Sequence, residues 1–171
     1  MVIAVARSRW ETPPGDDGTS LLYRSPATRH RQRRGSPLCT GQGSTALIGC
    51  LVERTAFDHQ VRLNLSAPAA GGGHGVDAEL IVETPFLLRD AGGEWHELEP
   101  GSGVNLAPVL GLFGQSITAV DVQGRGALSI DFGDGAGLRI GPDAQFESWH
   151  LIGRGISPVI VGPGGEEHWQ R

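Results

Sequence analysis

The chain has 171 residues, of which 14 are basic and 19 acidic, for a net charge of −5. Every basic residue is arginine, and the absence of lysine excludes Schiff-base catalysis, a pyridoxal phosphate anchor, a phosphate-loop lysine and a kinase-type lysine. Glycine, at 27 residues, is well above its average share of about 7%, which suits a protein of many tight turns.

Residues 1–45 hold seven arginines (Arg7, Arg9, Arg24, Arg29, Arg31, Arg33, Arg34) against three acids (Glu11, Asp16, Asp17). No apolar period of 2 or 3.6 persists there. Ordering a backbone costs ~1–2 kcal/mol per residue, and this composition buries too little apolar surface to offset it. The segment therefore reads as a disordered, arginine-rich tail, its Arg29–Arg34 run a solvated stretch rather than a nucleic-acid contact. Gly41 to Ala46 carries the letters of a dinucleotide fingerprint, but no strand precedes it, so it reads as linker. The apolar run from Met1 to Ala6 is too short for a signal peptide, and no stretch approaches the ~20 apolar residues of a membrane helix. Cys39 and Cys50 have no zinc spacing and read as reduced thiols. A soluble, cytoplasmic protein is expected, with no membrane contact.

From Ala46 the pattern changes, and residues 46–171 read as one β domain. Leu47 to Phe57 forms a first strand, Asp58-His59-Gln60 a turn, and Val61, Leu63 and Leu65 alternate on a second strand. A glycine-rich loop from Ser66 to Gly75 leads to a strand over Glu79–Thr84, with Pro85 at its end. Phe86–Arg89 extends to a turn at Asp90–Gly93, followed by a short strand or loop at Trp95–Gly101. Asn105–Phe113 is the one helical piece, capped by Asn105 and kept short by Pro108 and Gly111.

Beyond it, Ile117–Val122 and Leu128–Phe132 are strands, the latter with Leu128, Ile130 and Phe132 on one face. Gly133-Asp134-Gly135 suits a type I′ hairpin turn, and Leu138 and Ile140 continue the buried face. Phe146–Leu151 reads as a strand with Phe146, Ser148 and His150 on one side and Glu147, Trp149 and Leu151 on the other. Pro158–Val161 is the last strand. The stretches opening at Gly49 and Gly114 share a glycine, a strand, a turn and an alternating partner strand. The expected fold is thus all-β and mainly antiparallel: two related β-meander modules in a sandwich or partly closed barrel, with at most one short helix near 105–113.

Candidate chemistry is sparse. Glu147 and Trp149, on one strand face, could line a pocket in which the carboxylate orients a polar ligand; the plainer alternative is a half-buried glutamate hydrogen-bonded at the sandwich edge. Asp131 and Glu83 are further carboxylates that could pair with Glu147 for hydrolysis. Glu147 and His150, three apart on a strand, would face opposite ways, so no metal site is expected, and no cofactor. Asp131-Phe132-Gly133 imitates a kinase magnesium motif without the lysine that motif works with.

Several stretches carry a resemblance. They are Leu47-Ile48-Gly49 with Val52, the hairpin from Phe57-Asp58 to Leu63-Asn64-Leu65, Glu83-Thr84-Pro85-Phe86, Leu110 to Gly114, Leu128 to Gly135, Phe146-Glu147-Ser148-Trp149 and Pro163-Gly164-Gly165. Over residues 46–169 the chain resembles a family of small actinobacterial domains of unknown function. That resemblance implies a self-contained module and supplies no activity. The Asp-Gly hairpin and Glu-x-Trp strand also look like parts of toxin-immunity proteins, by analogy alone.

Residues 46–171 carry seven arginines against sixteen acids, a net of −9, which argues against a nucleic-acid surface on the body and favours a basic protein partner. The expected role is a non-enzymatic binding or interaction module of the immunity-protein kind. The alternative is a small hydrolase or ligand-binding protein with a carboxylate-lined pocket around Glu147.

Overall fold

A computed structural model describes residues 45–69 and 75–165, and the backbone of 167–169. The arginine-rich segment read as a tail lies outside the described residues. The described residues run β1 (Leu51–Phe57), β2 (Val61–Ala67), β3 (Val76–Val82), β4 (Phe86–Arg89), β5 (Trp95–Leu98), a 3₁₀ segment (Gly103–Leu112), β6 (Ile117–Gln123), β7 (Ala127–Phe132), β8 (Gly137–Ile140), β9 (Trp149–Arg154), β10 (Val159–Val161) and β11 (Glu167–Trp169).

All strand pairings are antiparallel, in a six-stranded sheet ordered β1-β2-β3-β9-β10-β11 and a five-stranded sheet ordered β5-β4-β8-β7-β6. The sheets form a β-sandwich, as the alternation anticipated: Val61, Leu63 and Leu65 from one and Leu128, Ile130 and Phe132 from the other belong to one buried core. Burying each such side chain contributes roughly 1.5–3 kcal/mol, so the period-2 pattern fixes which face turns inward.

The two-module expectation has a concrete form. Replacing β1 to β5 by β6 to β10 converts the order β1-β2-β3-β9-β10 into β6-β7-β8-β4-β5, which is the order of the second sheet. The match extends to register. β1 breaks pairing between Val52 and Arg54, and β6 breaks at the corresponding place, between Ile117 and Ala119. Leu80 and Val82 against Leu151 and Trp149 correspond to Leu138 and Ile140 against Leu88 and Phe86. Where the halves meet, Gly49, Cys50 and Val52 exchange backbone hydrogen bonds with Gly114, Gln115 and Ile117, including Gly114 N to Val52 O at 2.8 Å and Ile117 N to Cys50 O at 2.9 Å. This joins the sheets at one corner without closing a barrel.

Local details depart from expectation in several places. The first strand starts at Leu51 rather than Leu47, after a turn, and the third starts at Val76, ahead of Glu79. The 133–135 turn is a three-residue loop, with Phe132 N bonded to Ala136 O, rather than a two-residue type I′ turn. Gly135 takes φ +90° there, and Asp134 Oδ1 accepts Ala136 N at 2.9 Å. The helical piece is 3₁₀ and begins at Gly103, with no side-chain cap from Asn105. A 3₁₀ turn has three residues, so Leu106, Val109 and Leu112 stack on one buried side. The strand read from Phe146 begins only at Trp149, and Val159–Val161 is not the last strand, because β11 pairs onto it. Cys50 is a free, buried thiol whose pKa burial pushes up.

Candidate functional site

The segment before β9 is pinned by Asp143. Its Oδ1 accepts the backbone N–H groups of Gln145 (2.7 Å) and Phe146 (2.9 Å), its own N–H donates to Ser148 Oγ (2.7 Å), and its carbonyl accepts Gly164 N (2.7 Å). This turn uses the backbone that a longer strand would need, which is why β9 starts three residues late. Glu147 consequently lies outside the strand, and the opposite-face argument fails: its Oε2 is 3.0 Å from His150 Nε2. Glu83 joins them. It follows Val82, which pairs with Trp149, and its N–H donates to Ser148 O at 3.0 Å. One ligand atom each from Glu83, Glu147 and His150 fall within 4.8 Å of one another.

The other two candidates lie elsewhere. Trp149 is 1% exposed and packs inside the sandwich, where Nε1 donates to Gly126 O at 2.7 Å. Asp131 stands on β7, paired with Arg89 Nη2 at 3.1 Å, and Arg89 also donates to Gly135 O. Arg89 and Arg139 stack over Trp95, at 5.4 and 5.0 Å from the ring centroid. Of the four residues singled out in the sequence, the structure brings together Glu83 and Glu147. It adds His150, which strand periodicity had turned away.

A second carboxylate–imidazole contact sits at the β4–β5 turn, where His96 Nε2 is 2.9 Å from Asp90 Oδ2 and Asp90 Oδ1 accepts Glu94 N at 2.9 Å. The bond to His96, followed by that from Glu94, holds the Asp90 carboxyl below its ordinary value. A depressed carboxyl pKa stabilises the fold above the unfolded value of about 3.9 and loses that contribution as pH falls through the folded value. Asp90→Asn should therefore flatten the acid limb of the stability curve below about pH 4, read from urea midpoints across pH. An unchanged acid limb would show that the contact contributes nothing.

Among the described residues, an interior cavity of ≈ 10 Å³, too small for a substrate, is lined by Leu47, Trp149 and other apolar side chains. The outside is different around the 3₁₀ segment. One register away from the buried row, Val104, Leu110 and Phe113 are 86%, 55% and 63% exposed. Ile48 and Leu51 are also exposed, and Leu51 bridges to Ser116 just after Phe113. The segment packs against β1 and β5, whose Glu53 and Glu97 are exposed, with Glu99 just beyond β5 exposed as well. The segment thus offers exposed apolar side chains and packs on strands that carry exposed carboxylates and, at Arg54, an exposed guanidinium. The three-residue spacing of Leu106, Val109 and Leu112 beside Val104, Leu110 and Phe113 was the sequence signal for it.

Among the described residues no helix is long and apolar enough to cross a membrane. No curated protein and no solved structure matches the chain. The model of a family of unknown function (DUF6188) matches residues 44–170, which spans the whole sandwich, and the chain belongs to that family.

Proposed function

From that membership, which brings no activity with it, we propose that the domain is a non-enzymatic interaction module that binds a basic protein through the face around the 3₁₀ segment. The observation that carries this reading is the second apolar row, Val104, Leu110 and Phe113, left in solvent while its neighbour row is buried. Large exposed apolar side chains gathered on one element, edged by charge, are the usual anatomy of a protein contact. The exposed Glu53, Glu97 and Glu99 on or next to the strands it packs against, and the −9 net charge of residues 46–171, favour a cationic partner. A bacterial, cytoplasmic setting and an immunity-type role, in which an acidic domain blocks a basic toxin, fit this chemistry.

The immobilised full chain should retain a basic protein, in a salt-sensitive manner, and Val104→Asp with Phe113→Ser should abolish retention without altering the far-UV spectrum. Both positions are exposed, so neither substitution disturbs the core. Capture of no partner at detectable abundance, or capture indifferent to the double variant, would sink the reading.

The approach of Glu83 and Glu147 supports a second reading, a small hydrolase or ligand-binding protein with paired carboxylates, with Asp131 outside the pair. Loss of a hydrolytic activity in Glu147→Gln would favour it over the interaction module.

A further inference from the structure

We propose that Glu83, Glu147 and His150 form a binding site for a borderline divalent transition cation, with Zn²⁺ the best match. The site is independent of the docking face. Three observations carry it.

The donors converge. Two carboxylates and an imidazole each present a ligand atom within 4.8 Å of the others, and Glu147 Oε2 and His150 Nε2 are 3.0 Å apart. Zinc–nitrogen and zinc–oxygen bonds of about 2.0–2.2 Å put neighbouring ligand atoms roughly 3.0–3.5 Å apart, so this pair already has the spacing of one edge of a coordination shell.

The imidazole nitrogen is committed to nothing else. His150 Nε2 is sealed from solvent and makes no hydrogen bond, although Glu147 Oε2 is only 3.0 Å away. At that separation the missing bond is a matter of alignment: the nitrogen's axis does not point along the line to the oxygen. Two ligands of a shared ion likewise stand at such a separation without bonding to one another. A buried polar atom left unpaired is costly, and a cation shared with the carboxylates removes the cost.

The remaining carboxylate is braced from behind. Gln60 Nε2 donates to Glu83 Oε1. Gln60 itself is oriented because its Oε1 accepts Arg62 Nη2 at 2.9 Å and Nε at 3.2 Å, and Arg62 pairs with Asp58 at 3.6 Å. The chain Asp58–Arg62–Gln60–Glu83 holds the carboxylate in place, the role that outer-shell partners play for metal-bound carboxylates. On the other side Asp143 holds the backbone that delivers Glu147.

The donor set selects the ion. One nitrogen and two carboxylates, without thiolate, suit Zn²⁺ and its first-row neighbours, whereas Ca²⁺ asks for six to eight oxygens. Glu147 is half exposed, with 51% of its side chain accessible, so water can complete the shell. The Asp90, Glu94 and His96 cluster does not compete, because both Asp90 oxygens are already hydrogen-bonded.

The test is titration of Zn²⁺ into the full chain by calorimetry, with Co²⁺ absorption as a spectroscopic readout. One equivalent should bind, and Glu147→Gln should weaken binding at least tenfold. Gln60→Ala should weaken it by roughly 10–100-fold, as removal of an outer-shell partner does. Glu147 is exposed and outside any strand, so this variant folds even if His150→Gln does not. Absence of binding to the wild type, or equal binding by Glu147→Gln because another histidine holds the ion, overturns the proposal.

Discussion

Replacing Trp149 by alanine is expected to destabilise the domain by about 3–5 kcal/mol, measured by urea denaturation followed by far-UV circular dichroism. The indole is the largest of the fully buried side chains described, lines one cavity with Leu47, Leu80, Val120, Val122 and Leu128, and hydrogen-bonds Gly126 O in the β6–β7 turn of the other sheet. Truncation would leave a cavity where a ring now joins β9 to the β6–β7 turn. A small domain has about 5–15 kcal/mol in total, which places the alanine variant close to unfolding. Trp149→Phe separates the two contributions. It keeps much of the ring contact but removes the donor to Gly126 O, for a loss of about 1–3 kcal/mol. If the alanine variant lost less than about 1 kcal/mol, the inter-sheet role assigned to the indole would be wrong.

Gly153→Ala should be comparably damaging for a different reason. Gly153 pairs with Ala78 across the β3–β9 seam and has φ +147°. A Cβ there would fall 2.5 Å from Ala78 Cα and against the carbonyl of Asp77, both on β3. Backbone cannot yield as a flexible side chain does, so the seam itself must open. Overpacking and backbone strain each cost roughly 1–3 kcal/mol, giving an expected loss of about 2–6 kcal/mol. Gly141→Ala is the matched control, since a Cβ at Gly141 meets no atom within 4 Å. It should change stability by less than about 0.5 kcal/mol. Equal behaviour of the two variants would refute the close approach at the seam.

Much of this fold was legible because period-2 alternation is a burial signal. Val61, Leu63 and Leu65, and Leu128, Ile130 and Phe132, are inward-facing as read. The family resemblance, too, covered nearly the residues that the family model matches. The candidate site was legible only in part. Glu147 and His150 were placed on opposite faces because a strand was drawn through them, and the decisive fact was the turn closed by Asp143, four residues before Glu147. Trp149 was read as lining a pocket because alternation says which residues share a face, not which face is the core. That assignment needs the partner sheet. The approach of Glu83 depends on β3 lying beside β9, a pairing between distant parts of the chain that no local pattern encodes.

The repeated topology also bears on how the chain reaches this state. Each half can build a three-stranded meander from neighbours in sequence, β1 to β3 in one case and β6 to β8 in the other. Neither meander completes a sheet. The two seams, β3 with β9 and β4 with β8, each join a strand of the first half to one of the second. Closing them carries the loop entropy of everything between, and such long-range pairings set a slow folding rate. The transition state should therefore hold two formed meanders awaiting each other, with the slow step their mutual capture rather than the formation of either.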